Sequence, residues 1–110
     1  MIVPELYYAT YPATVTAGGA TLVAIPTNAE MGFQPDPRAI EKSVTPKTRA
    51  VLLNSPNNPS GAVYSAETLG TILEVCRAKK IWVISDEVYS LSPRKASPRL
   101  PAFLEAMTRP

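Results

Sequence analysis

The sequence predicts an α/β fold built on mainly parallel strands, and three observations carry that expectation. Two apolar runs of strand length, "AVLLNS" at 50–55 and "IWVIS" at 81–85, flank a segment with helical spacing. That segment opens on Ser65, a good helix cap, and sets Leu69, Ile72, Leu73 and Cys76 at i, i+3, i+4 and i+7. Glu67, Thr71, Glu74 and Arg77 take the opposite face, and Lys79 and Lys80 suit the negative end of the helix. Strand, helix and strand in this order make a β-α-β unit, which implies parallel strands and a right-handed crossover.

Other elements follow from local signals. "YPATVTAGG" is a short helical turn, with Pro12 suited to the first helical position and Gly18 to a left-handed end. "ATLVAIP" is a strand stopped by Pro26. In "QPDPRAIEKSVTP", Asp36 caps a helix that starts at Pro37 and carries Ile40 and Val44 on one face, with Pro46 as its stop. Both "AVLLNS" and "IWVIS" are continuous apolar runs, the mark of strands buried on two faces. After Ser92 the chain turns proline-rich, and "PAFLEAM" has the composition of one short helical turn.

Composition narrows the chemistry. The chain has 110 residues, the size of one domain, with 45% hydrophobic and 18% charged residues, which argues for a core and against disorder. A net charge of +2, spread along the chain, gives no basis for nucleic acid or an anionic membrane as partner. The apolar runs are too short to cross a bilayer, and "MIVPELYY" lacks the pattern of a secretory signal, so the expected compartment is the cytoplasm. A single cysteine, Cys76, excludes an internal disulfide and a cysteine-rich zinc site. With no histidine, Ser-His and Cys-His catalysis and the commonest metal ligand are also excluded. Chemistry then falls to Asp, Glu, Lys, Tyr or a cofactor.

Parallel strands joined by a crossover deliver the residues just past their ends to one edge of the sheet. "NSPNNPSG" leaves the first apolar strand and "DEVY" leaves the second, so these two polar clusters are expected to be neighbours. Open α/β sheets bind ligands in the crevice at that edge.

These residues resemble class I/II aminotransferases, the fold-type I enzymes that use pyridoxal 5'-phosphate (PLP). "YYATYP", "GFQPDPRAIEKSVTPKTRAVLLNSPNNPSG" and "VISDEVY" follow that family's order and spacing over residues 1–91. The resemblance implies the central segment of the large PLP-binding domain, a partial three-layer PLP-transferase-like architecture with mainly parallel strands. It implies that Asn58 bonds the phenolic oxygen of the cofactor, that Asp86 pairs with its protonated ring nitrogen, that Tyr89 supports the phenolic oxygen and that Tyr8 stacks on the ring. A carboxylate that keeps the ring nitrogen protonated is what makes the cofactor an electron sink, so the residue types suit the roles.

The resemblance further implies transfer of an amino group between an amino acid and a 2-oxo acid, in a homodimer. The lysine that carries the cofactor, the phosphate-binding turn and the carboxylate-clamping arginine have no match here, so no catalytic residue is expected and the chain alone is expected to be inactive. Lys42, Lys47, Lys79 and Lys80 fall at positions that match non-catalytic ones, and Lys95 has no matching surroundings. Residues 92–110 are expected to form a tail that departs from the family pattern. A PLP-dependent C-S lyase or a related fold-type I enzyme, and a non-catalytic remnant or interaction module, are the alternatives.

Overall fold

The computed structural model of the chain describes residues 1–87; Tyr89, Lys95 and the proline-rich tail with "PAFLEAM" lie outside the described residues. Four parallel strands form one sheet in the order β2-β1-β3-β4, with β1 at Ile2–Pro4, β2 at Val23–Ile25, β3 at Ala50–Asn54 and β4 at Trp82–Asp86. Helix α1 (Tyr11–Ala17) joins β1 to β2, α2 (Pro37–Ser43) lies between β2 and β3, and α3 (Ala66–Lys79) joins β3 to β4. A 3-10 turn at Ala29–Met31 precedes α2. Among the described residues no helix is long and apolar enough to cross a membrane.

The helices form where the sequence supplies their ends. The Asp36 side chain accepts from the Arg38 backbone N–H at the start of α2, and the Ser65 hydroxyl oxygen accepts from the Thr68 N–H at the start of α3. Lys80 ends α3 in the left-handed conformation, with φ of 56°. Helix α1 begins one residue before the expected start, so Pro12 is its second residue. The left-handed turn after it falls on Gly19 (φ 80°), while Gly18 (φ −78°) still donates to Thr14.

Side-chain alternation splits the strands between two apolar layers. Ile2, Ile25, Val51 and Leu53 pack with Ile40 of α2 and with Leu69, Ile72, Leu73 and Cys76 of α3. Val3 and Leu52 point the other way and pack against Tyr11 of α1. The result is three layers, α1 on one face of the sheet and α2 with α3 on the other, in keeping with the α/β class expected.

The strand order explains that division. From β1 to β2 the chain moves one way across the sheet, and from β2 to β3 and on to β4 it moves the opposite way. Crossovers of one constant hand must then put α1 on one face and α2 and α3 on the other. The reversal falls between β1 and β3, a topological switch point, where open α/β sheets have their crevice.

Two features differ from expectation. The segment "IVP" is a strand, although it carries no readable period. "IWVIS" is not buried on both faces: Trp82 is 77% and Ile84 44% exposed. β4 pairs only with β3 among the described residues, and α1 packs on Val3 and Leu52 of β1 and β3, meeting β4 through the Tyr11–Asp86 bond and leaving Trp82 and Ile84 uncovered.

Candidate functional site

Three strand ends converge at the switch point. β1 leads into the loop that carries Tyr8, β3 into the loop 55–61 that carries Asn58, and β4 ends on Asp86. Asn57 ties the first two together, donating from Nδ2 to the Leu6 carbonyl at 3.0 Å. Asn54 ties the second to the third. Its Nδ2 donates to the Asp86 carbonyl at 3.0 Å, while its Oδ1 accepts from the Asn58 backbone N–H at 2.8 Å. The Ser55 N–H adds a longer bond to the same Asp86 carbonyl, at 3.3 Å.

Of the three asparagines in "NSPNNPSG", two build the loop. Asn57 is buried and accepts at Oδ1 from the Ser60 N–H and hydroxyl, at 3.1 and 2.7 Å. Its backbone N–H donates to the Ala62 carbonyl at 2.8 Å, closing the turn. Gly61 makes that closure possible, because its φ of 71° would strain any side chain. Asn54 is also buried and spends its amide on the two bridges above. Asn58 is only half-buried. Both prolines of the loop follow cis peptide bonds, Ser55–Pro56 and Asn58–Pro59.

Behind the loop, Tyr64 seals the site from the α2/α3 layer. It is 1% exposed, and burial pushes its phenol up to about 12, an effect the Asn57 hydrogen bond partly opposes. Its N–H donates to the Ser55 hydroxyl oxygen at 2.9 Å. Gln34 clamps the far end of the same stretch, donating to the Val63 carbonyl at 3.0 Å and accepting from the Ser65 N–H at 2.9 Å.

In front of the loop, the Tyr11 hydroxyl donates to Oδ2 of Asp86 at 2.5 Å. The Tyr8 ring meets the Tyr11 ring edge to face, with centroids 6.0 Å apart and planes at 77°. Tyr8 is 44% exposed, which leaves much of its ring open at the rim. A hollow of about 380 Å³ lies beneath, between α1 and the strands, lined by Val15, Leu52 and Ile84 with Tyr11 and Asp86 among its polar groups.

Tyr8, Asn58 and Asp86, the described residues singled out from sequence, therefore stand at one edge of the sheet. Tyr89 falls outside the described residues. Two residues that sequence reasoning missed, Asn54 and Tyr11, make the connections among them. Asn54 looks like the last residue of a strand, and only its register opposite Asp86 shows its use. Tyr11 lies three residues after Tyr8, a spacing that sets both on one side of a helical turn, and that was its available signal.

This donor set fits PLP. A half-buried carboxylate at a strand end suits a protonated ring nitrogen, an asparagine across the loop suits a phenolic oxygen, and an open aromatic face suits a flat ring.

A parallel sheet with a polar crevice at its switch point defines an α/β ligand-binding domain of the kind in which enzymes seat a flat cofactor. Residues 1–105 match the profile of aminotransferases of class I and II, and the chain belongs to that family, whose chemistry uses PLP. The chain is 46% identical over 90 residues to an arginine–pyruvate transaminase of Pseudomonas aeruginosa, covering 82% of the chain and 23% of that enzyme. It is 40% identical over 89 residues to a probable aspartate/prephenate aminotransferase of Thermus aquaticus, covering 81% and 23%. Among solved structures, the aspartate aminotransferase of Thermus thermophilus with maleate superposes with a TM-score of 0.79 at 39% identity, over 81% of this chain and 23% of that one. An alanine aminotransferase of Pyrococcus furiosus superposes with a TM-score of 0.85 at 37% identity, over 94% and 26%. The chain thus spans about a quarter of the length of these relatives.

Proposed function

We propose that this chain supplies the ring-binding part of a PLP site in an enzyme that moves an amino group between an amino acid and a 2-oxo acid. The observation that carries the proposal is Asp86, whose carboxylate stands at the ligand-binding edge of the sheet and whose backbone carbonyl is joined through Asn54 to the loop of Asn58. Asp86 would hold the ring nitrogen, Asn58 the phenolic oxygen and Tyr8 one face of the ring; Tyr89, by sequence, would join Asn58. The chemistry the group supplies when bound is an electron sink for the pair released as an amino acid loses its Cα proton.

The chain's own residues set the conditions for that chemistry. Asp86 offers a fixed negative charge, which keeps a proton on a nitrogen placed against it. Asn58 is a neutral, directional group, so it can orient an oxygen without adding charge. Tyr8 covers one side of the crevice and limits water there. Asn54 and Asn57 tie the two loops to each other and to Asp86, which favours having these groups in place before a ligand arrives. Family membership supports amino acids and 2-oxo acids as substrates and a homodimer as the assembly.

The test is transamination by the intact gene product, followed as formation of a new amino acid from a 2-oxo acid. Asp86→Ala is expected to lower turnover on the order of 10²-fold or more, the usual scale for removing a fixed electrostatic partner. Turnover that survives Asp86→Ala undiminished, or a product that retains no PLP at all, would overturn the proposal.

A further inference from the structure

We propose that Tyr11 is a positioning residue for Asp86, its hydroxyl fixing the plane of the carboxylate so that the acid meets a ring nitrogen in one set direction. The proposal rests on the PLP site argued above. A carboxylate at a strand end has two side-chain torsions to settle, and here the backbone leaves nothing else to settle. The Asp86 carbonyl is pinned by the Asn54 amide and by the Ser55 N–H, so the main chain of Asp86 is tied to β3. What remains is the side chain. Its Oδ2 accepts from the Tyr11 hydroxyl at 2.5 Å, in the range of charge-assisted O–H···O bonds, which are about twice as strong as neutral ones.

Tyr11 is itself held firmly. It is the first residue of α1, buried, and packed with Val3 and Leu52, while the edge-to-face contact with Tyr8 steadies its ring. The hydroxyl therefore hangs from a rigid platform that belongs to a different strand connection than Asp86 does. One side chain links the aromatic wall of the crevice to its acid. A purely structural role predicts something different, because ring packing alone would fasten α1 to the sheet and a phenylalanine would serve as well.

The experiment uses the intact gene product loaded with PLP carrying ¹⁵N in the ring. Tyr11→Phe keeps the ring and its contact with Tyr8 and removes only the hydroxyl. Expected are cofactor retention weakened about tenfold, the scale of one hydrogen bond to a charged group, and a ring-nitrogen resonance moved toward the unprotonated form. The melting temperature of the cofactor-free protein should move little, and replacement of Tyr11 by para-aminophenylalanine, which restores a donor at the same reach, should recover both signals. Wild-type retention and an unmoved ring-nitrogen resonance in Tyr11→Phe would overturn the proposal. If Asp86→Ala is damaging while Tyr11→Phe is silent, only the role of Tyr11 falls. If Asp86→Ala is silent as well, the cofactor site falls and the role of Tyr11 with it. Should Tyr11→Phe not fold, the wild-type protein still decides: a Tyr11 hydroxyl proton held by the carboxylate exchanges slowly enough to be observed and vanishes in Asp86→Ala, and its absence overturns the proposal.

Discussion

On the α2/α3 face of the sheet, Ile2, Ile25, Val51 and Leu53 are exposed by 3% or less and, among the described apolar residues there, only Val23 on the outer strand β2 is open. On the α1 face Val3 and Leu52 are buried, whereas Trp82 and Ile84 of β4 stand open at 77% and 44%. The same four strands make both faces, so strand sequence alone does not account for the contrast. The number of helices does. A crossover helix lies along the strands, and its diameter of about 10 Å covers roughly two of them; α1 packs on β1 and β3. Two helices cover the other face, and one of them has 14 residues. The covered face holds the molecule together, and the open one, with its hollow and its acid, carries the candidate site. Stability and function are thus partly separated across one sheet, and substitutions can show how far.

The largest effect is expected in the covered layer. Ile72 of α3 is fully buried in the main cluster, so Ile72→Ala should cost about 2–5 kcal/mol, the range for a large side chain removed from a packed core. Urea denaturation measures it. A cost below about 1 kcal/mol would mean that this face is far looser than its burial indicates.

Alkali should attack the same face. Burial raises Tyr64 from its ordinary 10.0 to about 12, so the folded state holds that proton longer than the unfolded chain does. The associated stability is complete below pH 10 and is lost as pH climbs from about 10 to about 12, a loss of about 2–3 kcal/mol. Cys76, raised by burial from 9.0 to about 11, adds an earlier step of the same sign. Melting temperature against pH follows both steps. Tyr64→Phe should abolish the later one, and a profile unchanged by that substitution would place the titration elsewhere.

Between the faces lies the seam of Asn54, where loss of one amide removes a partner from two part-buried polar groups. Asn54→Ala removes the bonds to the Asp86 carbonyl and the Asn58 N–H and should cost about 1–3 kcal/mol. Hydrogen exchange at the Asn58 amide should quicken far more than at Ile72. Equal protection at both sites would show that the loop does not depend on Asn54.

How much of this was legible in sequence follows from the same division. Helix α3 could be read because its cap, Ser65, and its apolar stripe of Leu69, Ile72, Leu73 and Cys76 are local signals that agree. Strand β3 could be read because it is apolar throughout and buried throughout. Strand β1 could not, since three residues ending in proline carry no period. Exposure of β4 could not either, because an apolar run like that of β3 does not say whether a helix covers both faces of the strand. At the candidate site, the placement of Asn58 in a loop and of Asp86 at a neighbouring strand end was visible through motif and topology. Asn54 and Tyr11 were not, because each acts through a partner distant in sequence, 32 positions away for Asn54 and 75 for Tyr11.

The smallest effect belongs to the open face, and it sharpens the comparison most. Val51 and Ile84 lie on neighbouring strands, one residue apart in register, because Val51 pairs with Val83 and Leu52 with Ile84. They point to opposite faces. Both are β-branched, so threonine keeps their strand preference at either position and changes only polarity and volume. At Val51, fully buried in the main cluster, Val51→Thr sinks a hydroxyl among Leu and Ile side chains and should cost about 1–3 kcal/mol. At Ile84, where solvent already reaches the side chain, Ile84→Thr should change stability by less than about 0.5 kcal/mol. Paired urea titrations give the difference directly, with shared errors in extrapolation largely cancelling. Equal costs would mean that the α1 face is covered in solution as thoroughly as its opposite. A cost at Ile84 near zero means that the strand is held by its backbone pairing to β3 and by Val83 on the buried side, and that its other side is available to the crevice.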